Sequence, residues 1–311
     1  MSRNEAYREA EKKIEEARRS GDKSLDLSGE YDADSPKLDE LPESLSQLTQ
    51  LESLNLSDNQ LTELPESLSR LTQLKSLNLS HNRLTELPEW MGQLARLNTL
   101  KLSGNRLTEL PESLGQLTQL VTFDVLANQL TELPESLGEL TKLEWVDLSG
   151  NQLSSLSEFP VRWHRLTHLY IGSAGMGNPI GQLPSWLRSC TGLLALGAAY
   201  CELTSVPEWI GELASLSTLW LNDNHLVDLP PSLAVLEISS LHLDRNPFNP
   251  ELAAAVAEGT DAVKRYLRAK ARAQVVLNEA KLILIGEGEV GKSCLLGALR
   301  GEPWEEGRLT T

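Results

Sequence analysis

The chain has 311 residues, 40% of them apolar, with 28 Lys and Arg against 44 Asp and Glu and a formal net charge of −16. That composition supports a folded core, and the acidity argues against broad binding to nucleic acid or anionic membrane. Cys190, Cys201 and Cys294 form no metal-ligand or disulfide spacing, the start is polar, and no apolar run reaches the roughly 18 residues of a membrane span. These features point to a soluble protein of a reducing, cytoplasmic compartment.

In chain order, Asn4 to Ser20 is a charged helical stretch with Ala6, Ala10, Ile14 and Ala17 on one face, which predicts an N-terminal helical cap over residues 1–20. A repeat follows over residues 21–249. Leu51, Leu74, Leu97, Leu120, Leu143 and Leu166 lie 23 residues apart. Each opens the same phrase, as in Leu51-x-x-Leu54-x-Leu56-x-x-Asn59-x-Leu61, which resembles the leucine-rich repeat. Leu54 and Leu56 alternate as on a strand, while the later leucines, three apart, suit a helical or 3₁₀ return. One coil buries too little alone, so stacked coils share a leucine core beneath a parallel sheet. With later spacings of 27, 23 and 22 residues and a degenerate first unit at Leu25-Asp26-Leu27, about ten coils are expected.

Asn59, Asn82, Asn105, Asn128, Asn151, Asn224 and Asn246 recur where the chain leaves the strand. Their amides are expected to bond backbone groups left unpaired there. Cys201 holds the same slot, and in the lengthened coil counting places Ala174 there. Pro42, Pro65, Pro88, Pro111, Pro134, Pro184, Pro207 and Pro230 fix φ at the start of each return. Glu43, Glu66, Glu89, Glu112, Glu135 and Glu208 form a repeated acidic edge that reads as a solvated surface. Trp90, Trp186 and Trp209 share one convex position and are expected to pack between coils.

Residues between the strand leucines face the concave side. Early coils place Ser53, Asn55, Ser76, Asn78, Thr99 and Lys101 there; later coils place Trp145, His168, Tyr170, Tyr200, Trp220 and His242. Aromatic side chains with polar tips are frequent binding hot spots, so these six are the candidate docking residues for a protein partner or another part of the chain. The segment Gly172 to Pro179 lies beside them. No histidine has metal-ligand spacing, and no catalytic residue stands out. From Glu251 to Gln274, Leu252, Val256, Val263, Tyr266 and Leu267 follow helical spacing with Gly259 as a break, predicting a C-terminal helical cap and linker over 250–280. The run Lys264 to Arg272 is locally basic and reads as a solvated helical linker.

Lys281 to Ile285 is an apolar run that suits a buried parallel strand, and Cys294 to Leu299 suits a helix. Between them stand Gly286, Glu287, Gly288, Glu289, Val290, Gly291, Lys292 and Ser293, a G-x-x-x-x-G-K-S phosphate loop. Glycines let backbone N–H groups approach phosphate oxygens, and the helix N-terminus at Cys294 adds partial positive charge. Lys292 is expected to reach the β- and γ-phosphates and Ser293 to ligate Mg²⁺.

Repeats running into such a loop resemble the Roco family, in which they precede a Roc GTPase domain and a COR dimerisation domain; NOD-like receptors have the reverse order. The stretch Lys281 to Ser293 is similar to bacterial members. The resemblance implies an α/β chain: a leucine-rich-repeat solenoid with helical caps, followed over 281–311 by the first strand, phosphate loop and helix of a Ras-like GTPase domain. It implies GTP or GDP and Mg²⁺ as ligands, hydrolysis of GTP by the complete protein, and a regulatory or protein-interaction role for the repeats. It also implies that Thr311, 18 residues after Ser293, completes the Mg²⁺ shell as a switch threonine. The D-x-x-G and N/T-K-x-D motifs of GTPases do not occur between Ser293 and Thr311, so residues 281–311 are expected to be an incomplete, inactive start of that domain, with dimerisation depending on regions beyond it. The alternatives are a repeat scaffold without nucleotide turnover and a P-loop ATPase.

Overall fold

The structure is a computed structural model that describes residues 5–30, 35–156, 162–173 and 175–278. Among them are ten short strands: β1 (Ser24–Asp26), β2 (Ser53–Asn55), β3 (Ser76–Asn78), β4 (Thr99–Lys101), β5 (Thr122–Asp124), β6 (Trp145–Asp147), β7 (His168–Gly172), β8 (Ala195–Ala198), β9 (Thr218–Trp220) and β10 (Ser240–His242). They form one sheet in chain order, and neighbouring strands run parallel. A repeated coil can make no other kind, because each strand is re-entered from the same end one turn later. Register places like on like: Ser53, Leu54 and Asn55 pair with Ser76, Leu77 and Asn78.

Below the sheet the central strand residues, from Leu54 through Phe123 and Val146 to Leu219, are buried almost completely. Each such side chain contributes about 1.5–3 kcal/mol through its removal from water. On the return side, Pro65 and Pro111, with φ near −70°, lead into 3₁₀ turns at Glu66–Arg70 and Glu112–Gln116, as the other repeat prolines do in their coils. The leucine closing each turn, such as Leu71 or Leu117, is buried. Twenty-three residues after Leu140, Trp163 fills that slot, and Cys190 fills it one coil later. Trp163 donates from Nε1 to the Leu137 carbonyl at 2.9 Å and meets Trp186 edge-on at 5.5 Å. Trp186 in turn donates to the Leu156 carbonyl at 2.7 Å, while Trp90 is buried and Trp209 packs against the core. The three tryptophans at the shared convex position therefore pack between coils.

The asparagines form the expected ladder. Asn105 Nδ2 donates to the carbonyls of Leu79 at 3.0 Å and Leu102 at 2.9 Å, and Oδ1 accepts from Leu84 N–H at 3.0 Å. Two of those three partners lie in the preceding coil, so each amide ties two coils together. In the 27-residue coil the slot predicted for Ala174 belongs instead to Asn178. It donates to Leu148 and Ile171 carbonyls at 2.9 and 2.6 Å and accepts from Leu153 N–H at 3.0 Å. The four extra residues are consumed by a tight turn in which Ser173 and Met176 exchange backbone hydrogen bonds of 2.9 and 2.8 Å, so the ladder resumes four residues late. Ala174 itself lies outside the described residues. Cys201, shorter than asparagine, donates to Ala199 O at 3.2 Å, and the backbone of the long coil closes on it. A methyl group on Gly172 would stand 1.8 Å from Ala199 O and 2.7 Å from Cys201 Sγ, so this approach requires glycine.

Helix α1 (Glu5–Ser20) buries Tyr7, Ala10, Ile14 and Ala17 over the first coil. At the other end α2 (Pro250–Glu258) starts on Asn249, whose side chain accepts from Leu252 N–H at 2.9 Å, and Gly259, at φ 110°, turns the chain into α3 (Thr260–Asn278). Leu252, Val263 and Leu267 are buried. The basic run starting at Lys264 docks through Leu267 as far as Arg268 and keeps its arginines on the exposed side, where Arg265 pairs with Glu258 at 3.5 Å and Arg268 donates to the Ala234 carbonyl at 3.3 Å. Contacts divide the chain into residues 1–268 and 269–311, and the solenoid belongs to the first. No helix of the described residues is long and apolar enough to cross a membrane.

Replacing Asn105 by Ala strands three buried backbone groups and is expected to cost about 3 kcal/mol. Asn246→Ala, at the half-exposed last rung, is expected to cost about 1 kcal/mol. Urea unfolding of the two variants side by side reads the difference.

Candidate interaction site on the strand face

The register sorts the outward side chains of the sheet into two columns. One runs Ser53, Ser76, Thr99, Thr122, Trp145, His168, Ala195, Thr218, Ser240; the other runs Asn55, Asn78, Lys101, Asp124, Asp147, Tyr170, Gly197, Trp220, His242. Strands about 4.8 Å apart bring residues of one column into contact across the coils. Five of the six predicted docking residues meet here. Ring centroids of Trp145 and Tyr170 are 5.7 Å apart, His168 and Tyr170 6.5 Å, Tyr170 and Trp220 5.5 Å, and Trp220 and His242 5.9 Å. The first four are half-buried and His242 is exposed, which leaves a connected aromatic wall open to solvent across β6–β10.

Tyr200 does not join it. Strand β8 ends at Ala198, and Tyr200 sits in the turn beyond with φ 56°, the left-handed position that Asp58, His81 and Asp223 hold ahead of their ladder residues. It shares none of the ring contacts of the wall among the described residues.

Gly197, absent from the sequence-derived set, makes the wall continuous. Tyr170 and Trp220 flank it two strands apart, and a Cβ there would lie 2.7 Å from Tyr170 Cδ1 and 3.3 Å from Trp220 Cε3. Without a side chain between them the rings close over the strand.

Two further residues were not foreseen. Asp124 and Asp147 occupy adjacent places in the second column, next to Tyr170. Each carboxylate accepts from the backbone N–H two residues on, Leu126 at 3.1 Å and Ser149 at 2.9 Å, the role that Asn55 and Asn78 play earlier in the sheet. Burial holds the Asp147 carboxyl above the usual carboxylate range against the Ser149 hydrogen bonds, and the charge of Asp124 pushes it further up. Burial likewise raises Asp124, and burial with the nearby Asp147 charge raises the Tyr170 phenol. The tight turn of the long coil closes this corner: Ser173 Oγ donates to Ser149 Oγ at 3.1 Å, and Met176, 38% exposed, lies beside Gly150.

A family model described as a leucine-rich repeat region matches residues 67–169, and a second described as leucine rich repeat matches residues 36–84. The solenoid is a leucine-rich-repeat domain. Leucine-rich repeat serine/threonine-protein kinase 1 of Mus musculus is 33% identical over a match covering 33% of this chain and 6% of the relative, so the chain spans a small part of that protein. Among solved structures, an internalin from Listeria monocytogenes superposes with a TM-score of 0.58 at 21% identity over 75% of this chain and 69% of its own. A leucine-rich-repeat protein of Leptospira interrogans gives 0.39 at 22% identity over 72% and 80%. The internalin match carries the fold alone.

The leucine-rich-repeat domain offers no group of three His, Cys, Asp or Glu placed to hold a metal among the described residues. Burial pushes the Cys190 and Cys201 thiols up to about 11, so both stay protonated at neutral pH. The predicted phosphate loop, Gly286 to Cys294, and the predicted switch residue Thr311 lie outside the described residues, as do the strand and helix flanking the loop.

The folded-state pKa of Asp147 lies above its unfolded value, so ionising it weakens the fold as pH rises through the folded pKa. Asp147→Asn keeps the turn hydrogen bond, as Asn55 and Asn78 do. The variant is expected to melt at a higher temperature than the parent at pH 7, with the gain disappearing as pH falls below both pKa values. Thermal scans across pH check this.

Proposed function

We propose that the chain is the repeat-bearing part of a Roco-type GTPase: the leucine-rich-repeat domain recruits a protein partner through its strand face, and the phosphate-loop segment binds guanine nucleotide with Mg²⁺ for hydrolysis in the complete protein. The observation that carries the interaction role is the solvent-open wall of Trp145, His168, Tyr170, Trp220 and His242, large rings gathered on one half of a sheet whose other half bears small polar side chains. The nucleotide role is supported by the sequence alone, through Gly286-x-x-x-x-Gly291-Lys292-Ser293 following an apolar run and directly downstream of the repeats. A cytoplasmic setting accords with the two buried free cysteines.

The interaction role is tested by capturing partners from cell extract with the parent chain and with the Tyr170→Ala/Trp220→Ala variant. The double variant is expected to lose a partner while keeping the parent's circular dichroism, since both rings lie on the open face; identical captured sets would refute the role. For the nucleotide role, Lys292→Ala in a chain extended through the N/T-K-x-D motif is expected to abolish binding of a fluorescent GDP analogue. The 311-residue chain is expected to bind it more weakly than about 10 μM.

A further inference from the structure

We infer that the strand face takes up an arginine side chain of the partner protein, with the guanidinium set against Asp147 and Asp124 and the rings of Trp145 and Tyr170. This rests on the interaction role proposed for the same face and names the chemistry the face recognises.

Asp147 stands at a corner. Trp145 lies two residues before it on β6, on the same face of the sheet, and Tyr170 lies beside it on β7, with the two rings 5.7 Å apart and inclined at 58°. On its other side Asp124 occupies the same column on β5. Asp147 is only 7% exposed, yet among the described residues neither carboxylate takes part in an ion pair. Lys101, in register with Asp124 one strand further on, is exposed and forms no ion pair with it, though its charge favours the ionised form of Asp124. The arginines of the neighbouring coil are engaged elsewhere, Arg162 with Glu139 at 2.9 Å and Arg165 with Glu144 at 3.1 Å. Asp147 is desolvated beside a second carboxylate and, unlike Asp124, has no cation acting on it among the described residues, so a cation from outside relieves the repulsion at this corner.

The aromatic walls select which cation. A guanidinium is flat, so one face stacks on Trp145 or Tyr170 while its edge donates paired N–H groups to a carboxylate. An ammonium has the charge but neither the plane nor the fork. The net charge of −16 draws cationic segments toward the chain over longer range. Trp220, held against Tyr170 at 5.5 Å across Gly197, braces the ring, so this part of the aromatic wall is formed before the partner arrives.

The test uses the 311-residue chain and three capped tripeptides, acetyl-Gly-X-Gly-amide, in which X is arginine, lysine or citrulline. Binding is followed through the indole N–H resonances of the tryptophans. The arginine peptide is expected to shift Trp145, while Trp90, buried on the opposite side of the sheet, stays put. The lysine peptide is expected to bind about tenfold more weakly and neutral citrulline not measurably. Asp147→Asn, which retains the turn, is expected to weaken arginine binding about tenfold, and Tyr170→Ala by a similar factor. Citrulline binding as well as arginine, or Asp147→Asn binding as well as the parent, overturns the proposal. Lysine binding as tightly as arginine overturns the choice of arginine. Loss of a captured partner in Tyr170→Ala/Trp220→Ala without any tripeptide binding would leave the interaction role standing and remove this inference alone.

Discussion

Most coils of the solenoid depend on one carboxamide, buried in all but the last of them. Where the chain leaves its strand, the backbone turns inward and its polar groups lose water. The asparagine side chain replaces that water with bonds to its own coil and to the one before, as Asn105 does toward Leu102, Leu79 and Leu84. These bonds fix how closely two coils stack, and the leucine core then fills a space whose depth is already set. Where asparagine gives way to Cys201, the neighbouring backbone moves in to meet the smaller side chain, and Gly172 and Gly177 are the residues that allow it.

Constant stacking turns sequence distance into spatial order. Trp145, His168 and Ala195 become neighbours because each occupies the same place in successive coils. The outward face is therefore written one residue per coil, and its character changes when the residue types change. Small hydroxyls and amides give way to two carboxylates and then to aromatic rings. A missing side chain matters as much as a present one, since Gly197 is what lets Tyr170 and Trp220 touch.

The repeat, the ten coils, the prolines at each return and both helical caps are legible in the chain because each rests on a short local pattern that recurs. Ala174 and Tyr200 were misplaced for different reasons. Counting along a period assumes that every coil has the same path. An insertion of four residues at the Ser173–Met176 turn carried the ladder to Asn178, whereas Tyr200 keeps the period and takes the left-handed turn position of Asp58 and Asp223, beyond the outward strand residues Ala195 and Gly197. Trp163 escaped notice because a tryptophan in a leucine slot breaks the pattern by which the slot is found. Gly197 and Asp147 were findable by writing the outward columns coil beneath coil.

The sequence by itself determined that this chain winds into a capped leucine-rich-repeat solenoid, because leucine spacing and turn asparagines act within a few residues of one another. Only the tertiary structure decided which rings form a wall and which carboxylates are desolvated beside it. Apart from His168 and Tyr170 on one strand, those are contacts between coils, 22 or more residues apart. The burial that raises Asp147 and the space that joins Tyr170 to Trp220 exist only once the coils are stacked in register.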